Sequence, residues 1–130
     1  MDQRGFTLIE LVVTLIEVLV VVAIIAILAA IAIPGFNDQI RKSRRADVQG
    51  KMEDIRLRLE RFRVDNPTYA MPFTSATWSD SFYTVTLTGT GAAAYTVTAT
   101  PQGSQVKDTC GTMTLVNTGG AITQSPANCW

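Results

Sequence analysis

Histidine is absent from the chain. That removes the commonest general base and the commonest zinc ligand, so Ser-His, Cys-His and His-metal chemistries are excluded. No glycine-rich phosphate cradle and no cluster of metal-ligating residues stands in its place, and the expectation is a protein that is not an enzyme and takes no cofactor. Cysteine is limited to two residues, Cys110 and Cys129. A lone pair in a small domain that also carries a membrane signal suggests a disulfide formed in an oxidising compartment, with two separately buried thiols as the alternative. Charge is scarce at both ends of the chain. From Leu11 to Ile33 the only charged side chain is Glu17, and after Asp65 only Asp80, Lys107 and Asp108 remain. Basic and acidic residues balance at 11 each, so no global field steers nucleic acid or membrane. Nine of the basic residues nevertheless fall between Arg41 and Arg63.

What the chain has in quantity is an apolar run from Phe6 to Ile33. Its length exceeds the roughly 20 residues that cross a bilayer. A cleaved secretory signal is the competing reading, with Ala29-Ala30-Ile31-Ala32 resembling its small-residue end. Against it, the run passes through Pro34-Gly35 into Phe36, Ile40 and a long charged helical pattern. One continuous rod is expected, kinked at Pro34, where the ring removes a backbone hydrogen bond. Glu10 and Glu17 are costly there, since a carboxylate at bilayer depth loses about 2.5 to 3.5 kcal/mol on insertion scales. Glu10 can snorkel to the interface; a deeper carboxylate reads as one that waits for a cation on another chain. The run is also partly written twice, Thr7-Leu8-Ile9-Glu10-Leu11-Val12-Val13 being followed by Thr14-Leu15-Ile16-Glu17-Val18-Leu19-Val20.

Beyond the apolar run, Val48, Met52, Ile55, Leu59 and Phe62 form one stripe, while Lys51, Asp54, Arg58, Arg61 and Asp65 lie largely off it. Asp47 to Lys51 and Asp54 to Arg58 are i,i+4 pairs. Asp65-Asn66-Pro67 ends the helix. A loop follows from Thr68 to Ser81, with Pro72 and the aromatics Tyr69, Phe73 and Trp78 pointing to ordered packing. Period-two alternation then marks strands at Phe82-Leu87 and Tyr95-Thr100, a third at Thr112-Val116, a turn at Asn117-Gly120 and a short fourth strand at Ala121-Thr123. One helix and about four antiparallel strands make an α+β architecture, the apolar sheet face lying on the helical stripe and a Thr-rich face turned outward.

Gly5-Phe6-Thr7-Leu8-Ile9-Glu10, after a short leader with Arg4, resembles the prepilin (class III) signal of type IV pilins and of type II secretion pseudopilins. Ala23 to Pro34 is similar to the rest of that family's first helix. The resemblance implies cleavage between Gly5 and Phe6 by a prepilin peptidase and N-methylation of Phe6. It also implies an assembly contact in which Glu10, with Glu17 as the second candidate, neutralises the amine of a neighbouring subunit. In that family the glutamate lies four residues after the phenylalanine and seventeen before the helix proline; Glu10 meets the first spacing and Glu17 the second, so the chain carries seven extra residues. Val13 takes the place of the phenylalanine in the second copy and follows Val12, not glycine, so that copy does not form a cleavage site.

Ser43-Arg44-Arg45-Ala46-Asp47, Asn66-Pro67-Thr68-Tyr69, Tyr95 to Pro101, Asp108 to Thr112 and the terminal Cys129-Trp130 resemble the minor pilins of the PilE kind. The organisation implied is a leader at 1–5, an assembly helix at 6–33, its amphipathic continuation at 34–66 and a β domain at 67–130. Cys110 and Cys129 would then bound an outward-facing loop. The expected role is a structural minor subunit of a type IV pilus, with biogenesis, twitching motility and adhesion as implied properties of the filament. Its partners would be other pilin subunits, the peptidase and the inner membrane. The C-terminal domain would be periplasmic before assembly and extracellular in the filament, although the positive-inside rule applied to Arg41-Arg45 argues for the opposite orientation. A pseudopilin is the alternative within the family. The calcium-binding major type fits poorly, because only Asp80 and Asp108 supply carboxylates after Asp65. A DNA-binding pilin using Arg41 to Arg45 is the alternative of another class, less favoured than a solvated helix face that pairs with neighbouring subunits.

Overall fold

A computed structural model describes residues 3–71 and 78–130, with side chains described at Gly5 and from Thr7 onward. The side chain of Phe6, the leader residues Met1 and Asp2, and the loop residues Pro72 and Phe73 lie outside the described set. The elements are α1 (Gln3–Asp65), β1 (Trp78–Ser79), β2 (Tyr83–Thr88), β3 (Ala94–Pro101), β4 (Met113–Thr118) and β5 (Ala121–Ser125), with 3₁₀ turns at Gly103–Lys107 and Ala127–Cys129. Two compact units divide the chain, Met1–Gln39 and Ile40–Trp130.

In the first unit the backbone is helical from Gln3 onward, and Pro34 sits within the helix. Every large apolar side chain from Leu8 to Phe36 is exposed. The stretch is long and apolar enough to cross a membrane, and its most apolar window buries nothing against the rest of the protein. Such a surface is unfavourable in water and matches a hydrocarbon layer instead.

In the second unit the helix ends at Asp65, where the Asn66 side chain and backbone N–H both return to the Phe62 carbonyl, capping the last turn. The five strands follow one another in space as they do in sequence, each antiparallel to the last. Alternation sorts them into two faces. Tyr83 and Val85, then Tyr95, Val97 and Ala99, then Met113, Leu115 and Asn117 point to the core, where they cluster with Val48, Met52 and Leu59 of the helix. Each fully buried Leu, Met or Val there contributes about 1.5 to 3 kcal/mol of transfer free energy. Of the stripe read from the sequence, Val48, Met52 and Leu59 are the buried members, while Ile55 packs at the margin. Thr84, Thr86 and Thr88 pair with Thr100, Thr98 and Thr96 on the opposite face.

The sheet has five strands where four were expected. The additional one is β1, whose two residues pair with Thr84 and Val85; two residues are too few for alternation to register in a sequence. The turn after β4 is also shorter, since Asn117 and Thr118 continue the strand and Gly119-Gly120 alone reverse the chain. Both glycines take positive φ, 61° and 94°, as a two-residue hairpin turn demands. Asp54 pairs with Arg58 at 2.9 Å as expected. Lys51 does not join Asp47 but lies over the Trp78 ring, 5.7 Å from its centroid.

Candidate functional site

The longest connection in the sheet, from β3 to β4, carries the 3₁₀ turn Gly103–Lys107 and is held to the helix by a buried polar node. Arg45 donates to both carboxylate oxygens of Asp108, Nε to Oδ2 at 3.0 Å and Nη2 to Oδ1 at 2.8 Å. The Gln105 amide nitrogen donates to the Arg41 carbonyl at 2.9 Å and to the Tyr83 hydroxyl at 3.0 Å. Tyr83 donates in turn to Asp108 Oδ2. Burial pushes the Tyr83 hydroxyl above its ordinary pKa, the Gln105 bond opposing and the nearby Asp108 charge adding to the rise. Gly103 opens the turn at φ 58°, and a Cβ there would stand 3.0 Å from the Ser81 carbonyl oxygen. Glycine is therefore required on both conformational and steric grounds.

This node fixes a cationic edge. Arg44 stacks over Phe82 at 3.6 Å from the ring centroid and donates to Ser104 Oγ at 3.0 Å. Phe82 is presented by a turn in which Asp80 Oδ1 accepts from the backbone N–H groups of Phe82 and Tyr83, each at 2.7 Å. Lys51, two turns along the helix from Arg44, lies over Trp78. Lys42 and Lys107 are exposed. Farther along the helix Arg56 pairs with Glu53 at 2.6 Å and Arg58 with Asp54, while Arg63 lies over the Tyr69 ring. The Glu53 hydrogen bond is the main cause that raises Arg56 above its ordinary pKa. Lys42, Arg44, Lys51 and Lys107 thus give a cationic surface that bears Phe82, Trp78 and Ser104. Such a surface suits anionic oxygens, phosphate above all. Among the described residues no group of His, Cys, Asp or Glu is arranged to hold a metal ion.

A second node lies under the other end of the helix. The Glu60 carboxylate accepts from Tyr69 Oη, Tyr95 Oη and Asn117 Nδ2 at 3.1 to 3.4 Å. The two rings meet edge to face at 4.8 Å between centroids. Burial first, offset by the Asn117 bond and reinforced by Glu60, pushes the Tyr95 hydroxyl up to about 12.

Of the residues singled out from the sequence, Cys110 and Cys129 are brought together as a disulfide with Cα atoms 6.0 Å apart. The loop they close is tied to the helix, since Gln49 Nε2 donates to the Cys129 carbonyl. Gly5 lies in the exposed first turns of α1. Glu10 and Glu17 are exposed on the helix, and neither carboxylate has a partner among the described residues. Arg41, Arg44 and Arg45 separate into different roles: Arg45 is consumed by Asp108, while Arg44 borders the cationic edge. Lys107, Ser104 and Phe82 were not marked by the sequence reading. Their part in the edge depends on a long connection folding back, which no local pattern announces.

An apolar N-terminal helix, its amphipathic continuation against an antiparallel sheet, and a disulfide near the C-terminus define a type IV pilin subunit. The prokaryotic N-terminal methylation motif matches residues 1–16. A second family model, type IV minor pilin ComP, DNA uptake sequence receptor, matches residues 34–114. The chain belongs to that family of minor pilins. No curated protein and no solved structure matched the chain.

Proposed function

We propose that this chain is a minor pilin that captures duplex DNA, through phosphates, on the edge formed by Lys42, Arg44, Lys51 and Lys107. The observation that carries the reading is the agreement of two independent facts. The matched family is described as a receptor for a DNA uptake sequence, and Lys42, Arg44, Lys51 and Lys107 have no ion-pair partner among the described residues and accompany Phe82 and Trp78. This reading takes the DNA-binding alternative over a merely solvated helix face at the cluster Arg41 to Arg45.

In this reading the chain is inserted in the inner membrane, cut between Gly5 and Phe6 by a prepilin peptidase, and methylated at Phe6. Glu10 is the assembly contact with other pilins, and Pro34 is the kink. The second unit stands on the oxidising, periplasmic side, where the Cys110–Cys129 bond forms, and later on the filament. The protein catalyses nothing. Twitching motility and adhesion would be properties of the filament and are assigned no residue here.

The test is duplex binding by the detergent-solubilised chain across a salt series. Each lost phosphate contact should lower the slope of log affinity against log salt by about 0.9. The triple variant Lys42→Glu, Lys51→Glu, Lys107→Glu should lose most binding; unchanged affinity and slope would remove the proposal.

A further inference from the structure

Glu10 and Glu17 lie seven residues apart on a helix that is unbroken across both. Seven residues are two turns, a rise of about 10.5 Å with about 20° of drift, so both carboxylates share one face. The surface around them is repeated as well: Thr7 and Thr14, Leu8 and Leu15, Ile9 and Ile16, and Val13 and Val20 are identical pairs. The Thr14 hydroxyl is occupied by its own helix, donating to the carbonyls of Glu10 and Leu11 at 3.0 and 2.9 Å. It therefore leaves the Glu17 carboxylate without a neighbour.

A cation for Glu17 has to come from another chain. No basic residue occurs between Leu11 and Ile33, and Arg41 is 24 residues along the helix, about 36 Å away. An unpaired carboxylate at that depth is costly, so a partner charge is strongly favoured. A second copy of this chain can bring one cation into the apolar layer at the end of its own helix, namely the α-amine that cleavage exposes at Phe6. We propose that Glu10 and Glu17 are two berths for that amine, so that two copies pack in either of two axial registers about 10.5 Å apart. A shift from one register to the other needs almost no rotation, and past the berth the incoming helix meets an apolar turn in both, Leu11, Val12 and Val13 in the first and Val18, Leu19 and Val20 in the second. The two carboxylates are the charged groups that mark these two registers in the apolar helix. The inference rests on the proposed cleavage at Gly5-Phe6.

The test uses the full chain in membranes with its peptidase present. One copy carries Thr7→Cys and the other carries Leu11→Cys or Val18→Cys, which report the first and second register respectively. The native cysteines are already joined to each other. Both pairs should cross-link. Glu17→Gln should reduce the Val18 product about tenfold or more while sparing the Leu11 product, and Glu10→Gln should do the reverse, as expected for loss of a charge-assisted contact. If the Val18 product never forms, or if Glu17→Gln leaves it unchanged, the two-berth proposal is wrong. Intact mass separates the two possible failures: a chain that still begins at Met1 overturns the cleavage reading together with this one, whereas a chain that begins at Phe6 but uses only the Leu11 register overturns this one alone.

Discussion

Arg45 grips Asp108 through two parallel hydrogen bonds, and the carboxylate it holds is almost wholly buried, with 3% of the Asp108 side chain exposed against 15% of Arg45. Because Asp108 lies just beyond the 3₁₀ turn and two residues before Cys110, this pair connects helix, turn and disulfide. Removing one partner strands the other. Asp108→Ala should therefore destabilise the second unit by about 3 kcal/mol, the lower end for a buried pair because Arg45 keeps some access to water. The double change Arg45→Met, Asp108→Leu should recover most of that loss. Denaturant midpoints followed by the aromatic signal of the folded unit would check both.

Binding and stability should come apart along the cationic edge. Lys42 and Lys107 are exposed, and neither forms an ion pair among the described residues. Lys42→Glu and Lys107→Glu should each weaken DNA capture and reduce its salt slope by about 0.9, with the unfolding midpoint unmoved. Arg44→Glu should lower both, because it also gives up the Phe82 stack, a contact on the order of 1 kcal/mol, and the bond to Ser104. Equal stability losses in all three variants would show that the edge is structural.

Much of this was legible in the chain itself, because it depends on local periodicity. The 4, 3, 4, 3 spacing of Val48, Met52, Ile55, Leu59 and Phe62 marks the packed face of the helix. Alternating Tyr, Val and Thr marks β2 and β3. What escaped depends on residues far apart in sequence. β1 is two residues long and exists only through its pairing with β2. Arg45 meets Asp108 across a separation of 63 residues, and Glu60 meets Asn117 across 57. A charged cluster such as Arg41-Lys42-Ser43-Arg44-Arg45 cannot be divided into its structural and available members until the opposing loop is in place.

The disulfide closes a loop that holds the β4–β5 hairpin, and just outside it the Trp130 indole N–H donates to the Ser125 carbonyl. A loop of this size constrains the unfolded chain by about 3 kcal/mol on the entropy model. Cys110→Ser with Cys129→Ser should lower the denaturant midpoint accordingly, and a reductant should do the same to the native chain. Since Gln49 anchors the loop to the helix, Gln49→Ala should add to the loss in the native chain. The Gln49 effect should shrink in the cysteine-free variant, where the loop is already loosened.

Tyr95 supplies a pH dependence whose sign follows from its environment. Its hydroxyl is buried beside the Glu60 carboxylate and titrates at about 12 in the folded chain, above the ordinary value of 10.0. The folded state therefore retains this proton at pH values where the unfolded state has released it. The associated stabilisation is complete below pH 10 and is lost as pH rises from about 10 to about 12. Tyr83, raised in the same direction by burial, acts over the alkaline range as well. Tyr95→Phe removes one of the two groups, so its stability should fall less steeply across this window, although it starts lower because Glu60 loses a donor. Tyrosinate absorbance gives a second reading: in the native chain the Tyr95 signal should appear only as the unit unfolds. Ionisation near pH 10 in a chain that is still folded, or an alkaline slope unchanged in Tyr95→Phe, would show that the Glu60 node does not hold this proton.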